Sequence, residues 1–167
     1  ENFLLLLEYC EHGDLKSYLK KIETTVFDKG KDASENSRCL LKWLYEVAKG
    51  MQYLEENKIM HGDLAARNIL LTDSLIAKIS DFGLSRRLYH EIGPCPIQKN
   101  DDKKLILPMK WLAIEILQSG QIVPMKSDVW SYGVVIWELF QLGSEPYAIG
   151  NDSHTPQHIE NYIIIKK

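Results

Sequence analysis

The segments that decide the fold are HGDLAARN at residues 61–68 and DFG at residues 81–83. Two short aliphatic runs lie between them, Ile69–Leu71 and Ala77–Ile79, and the turn-prone residues 72–74 separate these runs. Aliphatic runs on either side of a polar turn are typical of a β-hairpin. We therefore predict a hairpin with one polar loop before its first strand and another after its second.

Three helices are predicted around this hairpin. Asp14 is interpreted as a helix cap ahead of the apolar side chains of residues 15–19. A three- and four-residue spacing of apolar side chains over residues 40–54 indicates one face of a second helix, which is expected to end near Asn57. Residues 129–140 are apolar around almost the whole circumference, which predicts a helix buried in a core.

The other segments are interpreted as a strand, loops and the start of a helix. The apolar run Phe3–Tyr9 predicts a buried strand that ends in a turn. Residues 20–38 are polar and lack a sustained apolar period, so they predict a solvated insert loop. Residues 85–107 are predicted to be mostly loop, and residues 158–165 to begin another helix.

Composition excludes several classes of protein. The formal net charge is −3, from 23 acidic and 20 basic residues, so it gives no electrostatic reason to expect a nucleic-acid partner. The longest purely aliphatic or aromatic run, Phe3–Leu7, is far shorter than the roughly 18 apolar residues that cross a bilayer. Cys10, Cys39 and Cys95 are widely spaced and odd in number, which favours reduced thiols inside a cell.

Residues 61–68 and 81–83 resemble the catalytic loop and the metal loop of protein kinases. The resemblance extends over nearly all of the chain and implies an α+β protein-kinase-like fold, in which a hinge strand leads into a mostly α-helical C-lobe that is incomplete. Residues 1–167 would then be a partial kinase domain containing the hinge and the C-lobe. Residues 20–38 would be an insert loop, and residues 81–115 the activation segment.

This resemblance implies transfer of the γ-phosphate of ATP to a hydroxyl group with the help of Mg²⁺. Asp63 would accept or orient the hydroxyl proton. Asn68 would bind one Mg²⁺, and Asp81 would bridge the other to the β- and γ-phosphates. The alternative is that these polar residues belong to ordinary solvated loops without a catalytic role.

Two features resemble the kinases that act on tyrosine. Ala65 stands where serine and threonine kinases usually carry a lysine, and Arg67 would supply the positive charge near the reacting phosphate instead. The stretch LPMKWLAIE at residues 107–115 resembles the segment that shapes the platform for a substrate tyrosine. Within it, the platform residues implied by the resemblance are Pro108, Lys110 and Trp111.

The resemblance also assigns a nucleotide-binding hinge and several structural residues. Leu7 would be the gatekeeper, the backbone of Glu8 and Cys10 would face adenine, and Leu70 would pack under the purine; a buried strand would explain Leu7 and Leu70 nearly as well. The implied structural residues are His61, which is given no proton-transfer role, Glu115, and Asp128, which would cap backbone amides of the catalytic loop from a central buried helix.

The sequence departs from the tyrosine-kinase pattern in the activation machinery. Gly62 stands where most of these kinases have an arginine that pairs with a phosphorylated loop residue. Tyr89 remains, but the stretch from residue 90 to 110 has no tyrosine. We hypothesise a loop that does not need tyrosine phosphorylation, with Asp101 and Asp102 supplying standing charge. The alternative is an ordinary solvated charged loop. Ile114 replaces the usual proline before Glu115, whose arginine partner is expected beyond Lys167.

Both ends of the sequence look cut, so we expect a fragment that lacks most of the N-lobe and the C-terminal helices. A glycine-rich loop, a strand lysine and a helix glutamate are absent before residue 1, so the chain alone is expected to be inactive. The parent is predicted to phosphorylate protein tyrosines in signalling, as a single-pass receptor with this domain at the cytoplasmic face of the plasma membrane, and a receptor dimer is an expected partner arrangement.

The polar insert after the first helix resembles the platelet-derived, vascular and fibroblast growth-factor receptor groups. Two alternatives stay open: a pseudokinase that binds partners without catalysis, and a cytoplasmic non-receptor tyrosine kinase. Nucleic acid is not an expected partner, and contact with a membrane is expected only through a segment outside this chain.

Overall fold

The computed structural model describes residues 4, 6–25, 33–87, 95–96, 108–119, 121–122, 126–147, 159–160 and 163. The named helices are α1 (Leu15–Thr25), α2 (Ala33–Glu56), α3 (Ile114–Ser119) and α4 (Lys126–Phe140), and two short 3₁₀ helices cover Ala66–Asn68 and Met109–Trp111. The strands pair antiparallel two by two: β1 (Ile59–Met60) with β4 (Arg86–Arg87), β2 (Ile69–Leu71) with β3 (Ala77–Ile79), and β5 (Cys95–Pro96) with β6 (Gln121–Ile122).

The predicted hairpin is confirmed with its predicted bounds. Ile69 pairs with Ile79 and Leu71 with Ala77. In the turn, the Ile76 amide donates to Thr72 Oγ1 at 3.1 Å, and Leu75 takes a positive φ of 56°. The β2 and β3 strands thus begin and end at the two polar loops.

The α1 and α2 helices form as the apolar spacing predicts, and both extend into the predicted insert loop. Asp14 caps α1, because its Oδ1 accepts the Ser17 amide at 2.8 Å. The α2 helix ends at Glu56, next to the predicted Asn57. The insert predicted over residues 20–38 is wrong at both ends, where α1 and α2 are helical; residues 26–32 lie outside the described residues. Charged side chains are good helix formers, so polarity alone does not mark a loop.

The α4 helix is buried on one side and open on the other. Val135 and Leu139 pack fully buried in a core shared with α1, α2 and the hairpin. Val129 is 71% exposed, and Trp137 and Phe140 are also exposed, so the predicted burial holds for only part of the circumference in the described structure. A cavity of about 620 Å³ opens on this side, lined by residues that include Glu115, Trp130, Trp137 and Pro146.

A tight turn closes α4 against α1. The Gly143 amide donates to the Glu138 carbonyl at 2.8 Å, and Gly143 has a φ of 79°. A Cβ at this position would lie 2.7 Å from the Lys16 carbonyl oxygen. Glycine is therefore required here both by the backbone conformation and by the close approach of α1.

The strand predicted over Phe3–Tyr9 is wrong for the residues that the structure describes. Leu4 and residues 6–10 are not in a strand, and Leu6 and Tyr9 are 93% and 84% exposed. A strand needs a neighbouring strand to satisfy its amides, and no described strand pairs with this segment. The hinge strand of the predicted fold class is thus not formed here.

Several sequence predictions fall largely outside the description. The predicted loop over residues 85–107 includes the short strands β4 and β5, and its other residues beyond Ser85 are not described. Of the predicted helix over residues 158–165, the structure describes residues 159, 160 and 163, which are helical. None of the helices in the described part of the chain is both long and apolar enough to cross a bilayer.

Candidate active site

The loop before the hairpin binds the Asp63 carboxylate at both oxygens. Arg67 Nη2 donates to Asp63 Oδ1, and Asn68 Nδ2 donates to Asp63 Oδ2 at 2.8 Å. The same Asn68 nitrogen lies 2.7 Å from the Asp63 carbonyl oxygen. Arg67 and Asn68 lie in the 3₁₀ helix, which turns the chain so that residues four and five positions after Asp63 point back at it. The three predicted catalytic residues therefore lie together.

The loop after the hairpin is bonded directly to the first loop. Ser80 donates from its amide and its hydroxyl to the Asn68 carbonyl, at 2.9 and 3.0 Å. The buried His61 ring contacts both loops: its Nε2 is 3.0 Å from the Ser80 carbonyl oxygen, and its Nδ1 accepts the Asp63 amide at 3.2 Å. Asp81 follows Ser80, so its carboxylate is carried on a segment fixed to the loop of Asp63.

Asp81 and Asn68 present a donor set that suits magnesium. Asp81 is exposed, has a φ of 60°, and accepts the Gly83 amide at 3.2 Å. Both hydrogen bonds made by Asn68 Nδ2 go to Asp63, which leaves the amide oxygen as the end that can bind a metal. The described residues contain no cluster of three or more His, Cys, Asp or Glu that could hold a metal. Mg²⁺ is commonly held by one or two carboxylates together with substrate phosphates, so these residues fit it.

Asp128, in the first turn of α4, holds the catalytic loop from below. Its two oxygens accept the amides of His61 at 2.8 Å and Gly62 at 3.0 Å. Burial raises the pKa of the Asp128 carboxyl, while the two amide donors oppose that rise. The helix thus fixes the backbone immediately before Asp63.

Glu138 lies ten residues after Asp128 on the same helix. No role was assigned to it from the sequence. Its Oε2 accepts the Ala66 amide and the Trp111 indole N–H, both at 2.9 Å. Burial raises the pKa of the Glu138 carboxyl, and these hydrogen bonds lower it in part. The signal was present in the sequence, because a carboxylate on an otherwise apolar helix must find donors inside the protein.

The predicted platform residues lie beside the catalytic loop. Trp111 is buried, and the Arg67 guanidinium carbon lies 4.3 Å from the centroid of its ring, as in a cation–π contact. Ser131 Oγ donates to the Trp111 carbonyl at 2.8 Å. Lys110 is buried and pairs with Glu145 at 2.7 Å. Pro108 precedes the 3₁₀ helix and accepts the Trp111 amide at 2.8 Å.

Comparison with known proteins assigns the family. The profile of the protein tyrosine and serine/threonine kinase family matches residues 1–166. The chain belongs to this kinase family. Its relatives include the fibroblast growth factor receptor homolog 1 of Drosophila melanogaster, 37% identical over 86% of the chain and 20% of the relative.

Two relatives come from Caenorhabditis elegans. The tyrosine-protein kinase receptor svh-2 is 39% identical over 87% of the chain and 12% of the relative. The tyrosine-protein kinase csk-1 is also 39% identical over 87% of the chain, and 24% of the relative is covered. The chain thus spans between 12 and 24% of the length of these three relatives. The predicted kinase-like fold class is confirmed at the level of the family.

The hinge residues of this kinase chain are only partly brought to the site. Leu70 is half-buried in β2 and bridges to Asp14 just before α1. Cys10 is half-buried, and its carbonyl accepts the Gly13 amide at 3.1 Å. Glu8 pairs with Lys78 of β3 at 3.1 Å, with both side chains largely exposed. Leu7 is 79% exposed.

The departures from the kinase pattern have different outcomes. Gly62 has a φ of 80°, and a Cβ there would lie 3.0 Å from the Leu84 carbonyl oxygen. Glu115 is half-buried in the first turn of α3, and its side chain forms no ion pair with the described residues. Tyr89, Asp101 and Asp102 lie outside the described residues, so phosphorylation independence of the loop stays a hypothesis.

Proposed function

We propose that the full-length protein carrying this chain transfers the γ-phosphate of ATP to tyrosine hydroxyls of protein substrates. The observation that carries the proposal is the closed set of contacts around Asp63, in which Arg67 and Asn68 bind its two oxygens and Arg67 also covers the Trp111 ring. Family membership supports the use of ATP and a divalent metal in general terms.

Asp63 is proposed to receive the acceptor. Its carboxylate is held in one orientation by Asn68 and Arg67, so it can accept a hydrogen bond from an incoming hydroxyl. As the hydroxyl oxygen bonds to the γ-phosphorus, the bond from that phosphorus to the bridging oxygen breaks and the hydroxyl proton passes to Asp63. Magnesium, when bound, neutralises charge on the phosphate oxygens, and Asn68 and Asp81 are the residues proposed to hold it.

Arg67 and Trp111 support tyrosine as the acceptor. The cation lies four residues after Asp63 and over the ring of a platform residue, so the charge near the transferred phosphate and the acceptor surface are one assembly. Pro108 and Lys110, just before Trp111 in the chain, are proposed to support this platform, since Lys110 is buried and pairs with Glu145. A phenol reaches further from its backbone than a serine hydroxyl, and a platform set beside Asp63 suits that longer side chain.

We propose that residues 1–167 form the hinge and large lobe of the kinase domain, with residues 81–115 as the activation segment and the backbone of Glu8 and Cys10 with Leu7 and Leu70 at the adenine. On that assignment the 167-residue chain alone does not phosphorylate substrates. The receptor names of two relatives favour a single-pass receptor with this domain at the cytoplasmic face of the plasma membrane, working in signalling and able to dimerise.

The experiment is phosphate transfer by the full-length protein to a tyrosine peptide and to the same peptide with phenylalanine. Asp63→Asn and Asp81→Asn should each lower turnover by at least about 100-fold, because one removes the acceptor carboxylate and the other a metal ligand. Asp73→Asn, at an exposed aspartate of the hairpin turn, is the matched control and should keep wild-type turnover. Nucleotide binding without any transfer by the wild type would instead favour a scaffold without catalysis.

A further inference from the structure

Glu138 is a fully buried carboxylate that the proposed phosphate transfer does not use. Its Oε2 joins two segments that are 45 residues apart in the chain, since it accepts the Ala66 amide and the Trp111 indole N–H. One segment is the catalytic loop and the other is the substrate platform.

This carboxylate is a poor choice for stability alone. Oε1 is buried and has no hydrogen-bond partner among the described residues. Taking a carboxylate out of water is costly, and well-packed apolar residues often replace buried charges without loss of stability. The position therefore points to a geometric role for the two hydrogen bonds.

Both hydrogen-bond partners of Glu138 adjoin or contact residues that bind the Asp63 carboxylate. Ala66 lies between Asp63 and Asn68 in the sequence, and its amide fixes the 3₁₀ helix that presents Arg67 and Asn68 to Asp63. Trp111 carries Arg67 over its ring, and Arg67 pairs with Asp63. A displacement of Glu138 would thus move the acceptor surface relative to Asp63.

The α4 helix holds this connection as a rigid element. Asp128, Ser131 and Glu138 are spaced by three and seven residues, so they lie on one face of the helix. Asp128 holds the backbone before Asp63, Ser131 holds the Trp111 carbonyl, and Glu138 holds the Trp111 ring and Ala66. The α4 helix therefore fixes the positions of both the platform and the catalytic loop.

We propose that Glu138 is a positioning residue that sets the distance between Asp63 and the tyrosine held on the Trp111 platform. The inference rests on the proposed tyrosine phosphorylation and extends it, because it assigns acceptor alignment to a residue that touches neither substrate. Loss of Glu138 should impair use of the acceptor more strongly than use of ATP.

The test compares three variants of the full-length protein in steady-state kinetics. Glu138→Met removes the acceptor oxygens at similar volume, and we expect kcat/KM for the tyrosine peptide to fall about 30-fold, as misalignment of reacting groups commonly costs. Glu138→Gln keeps an oxygen that can accept hydrogen bonds from both N–H groups, so kcat/KM for the tyrosine peptide should fall less than about threefold. Trp111→Phe removes the indole donor and also shrinks the ring under Arg67, and kcat/KM for the tyrosine peptide should fall about tenfold. The KM for ATP should change less than about twofold in all three.

The two ends of the hydrogen bond should not act independently. Adding Trp111→Phe to Glu138→Met should cost less than the roughly tenfold it costs alone, because the hydrogen bond is already lost and only the change of ring remains. Val135→Ala is the matched control, since it opens a cavity in the core on the same helix without touching the platform; it should lower stability and leave the ratio of the two KM values unchanged. Trp111→Phe provides the same test if Glu138→Met does not fold.

Several results would overturn the inference. Equal changes in the KM values for peptide and ATP, full additivity of the two substitutions, or wild-type kinetics in Glu138→Met would each show that Glu138 is only structural. A wild-type protein that transfers no phosphate would sink the proposed function instead. In that case hydrogen exchange at the Ala66 amide still decides: faster exchange in Glu138→Met but not in Val135→Ala supports positioning, and equal exchange in both contradicts it.

Discussion

The loops around Asp63 and the segment at residues 6–10 are two neighbouring parts of the same proposed site, but they are built differently. The loops are bonded to the hairpin and to α4 by buried side chains such as His61 and Asp128. The upstream segment presents Leu6, Leu7 and Tyr9 largely to solvent. The acceptor half of the site is therefore organised by buried contacts within this chain, whereas the proposed adenine half combines Leu70 in the paired strand β2 with a largely exposed segment at residues 6–9.

The largest effect on stability is expected when the side chain that supports the catalytic loop is removed. Asp128→Ala should lower the free energy of unfolding by about 3 kcal/mol, because it leaves the buried His61 amide and the part-buried Gly62 amide without acceptors. Urea unfolding of the wild type and variant measures it. Asp128→Asn keeps one acceptor oxygen and should lose about 1 kcal/mol; equal losses in the two variants would contradict the role of the amide bonds.

Two glycines with similar backbone conformations test how closely the catalytic loop and the upstream segment are packed. Gly62→Ala should destabilise by about 2 kcal/mol, because a φ of 80° is strained and the new Cβ would meet the Leu84 carbonyl oxygen at 3.0 Å. Gly13→Ala, near the upstream segment, has a φ of 68° but nothing within 4 Å of its Cβ, so about 1 kcal/mol is expected. Thermal unfolding of both variants should rank them in this order, and the reverse order would refute the packing argument.

The buried Glu138 carboxyl should make stability depend on pH. Its pKa is raised by burial, although Lys16 and Arg67 favour the ionised form, so the folded protein holds the proton to higher pH than the unfolded protein does. The contribution of Glu138 to the free energy of unfolding is therefore full below its ordinary pKa of 4.5 and is lost as the pH rises through the raised value.

Glu138→Gln cannot titrate, so it isolates this contribution. The stability of the wild type minus that of Glu138→Gln should decrease as the pH rises above 4.5, and urea unfolding at a series of pH values measures the difference. A difference that grows with pH would mean that the hydrogen bonds from Trp111 and Ala66 outweigh burial.

The smallest effect is expected in the exposed upstream segment. On the contacts within this chain, Leu6→Ser should change the free energy of unfolding by less than about 0.5 kcal/mol, because Leu6 is 93% exposed. Thermal unfolding of the full-length protein provides the measurement. A loss well above that value would show that another part of the protein covers the segment, and it would remove the contrast with the catalytic loop.

The sequence predicted those parts of the structure that depend on local chemistry. The hairpin over residues 69–79 and the cap at Asp14 follow from turn and capping residues within a few positions. The cluster of Asp63, Arg67 and Asn68 was also predictable, because it lies within six consecutive residues that end in a 3₁₀ turn.

The parts that sequence reasoning missed depend on distant partners. Glu138 finds Ala66 across 72 residues and Trp111 across 27, and no spacing rule connects them. The strand predicted over residues 3–9 requires a neighbouring strand, which an apolar run does not specify. The ends of the predicted insert failed for a different reason, since helical turns rich in polar residues have the composition of a solvated loop.

The open side of α4 affects how the protein behaves in solution. Val129, Trp137 and Phe140 are separated by eight and three residues, so they form one apolar stripe along the exposed face of the helix. Where nothing covers this stripe, copies of the polypeptide bury apolar surface by associating through it. Salting-out agents such as sulfate strengthen that association. Colloidal behaviour is thus governed by a face of the same helix whose opposite side organises the chemistry.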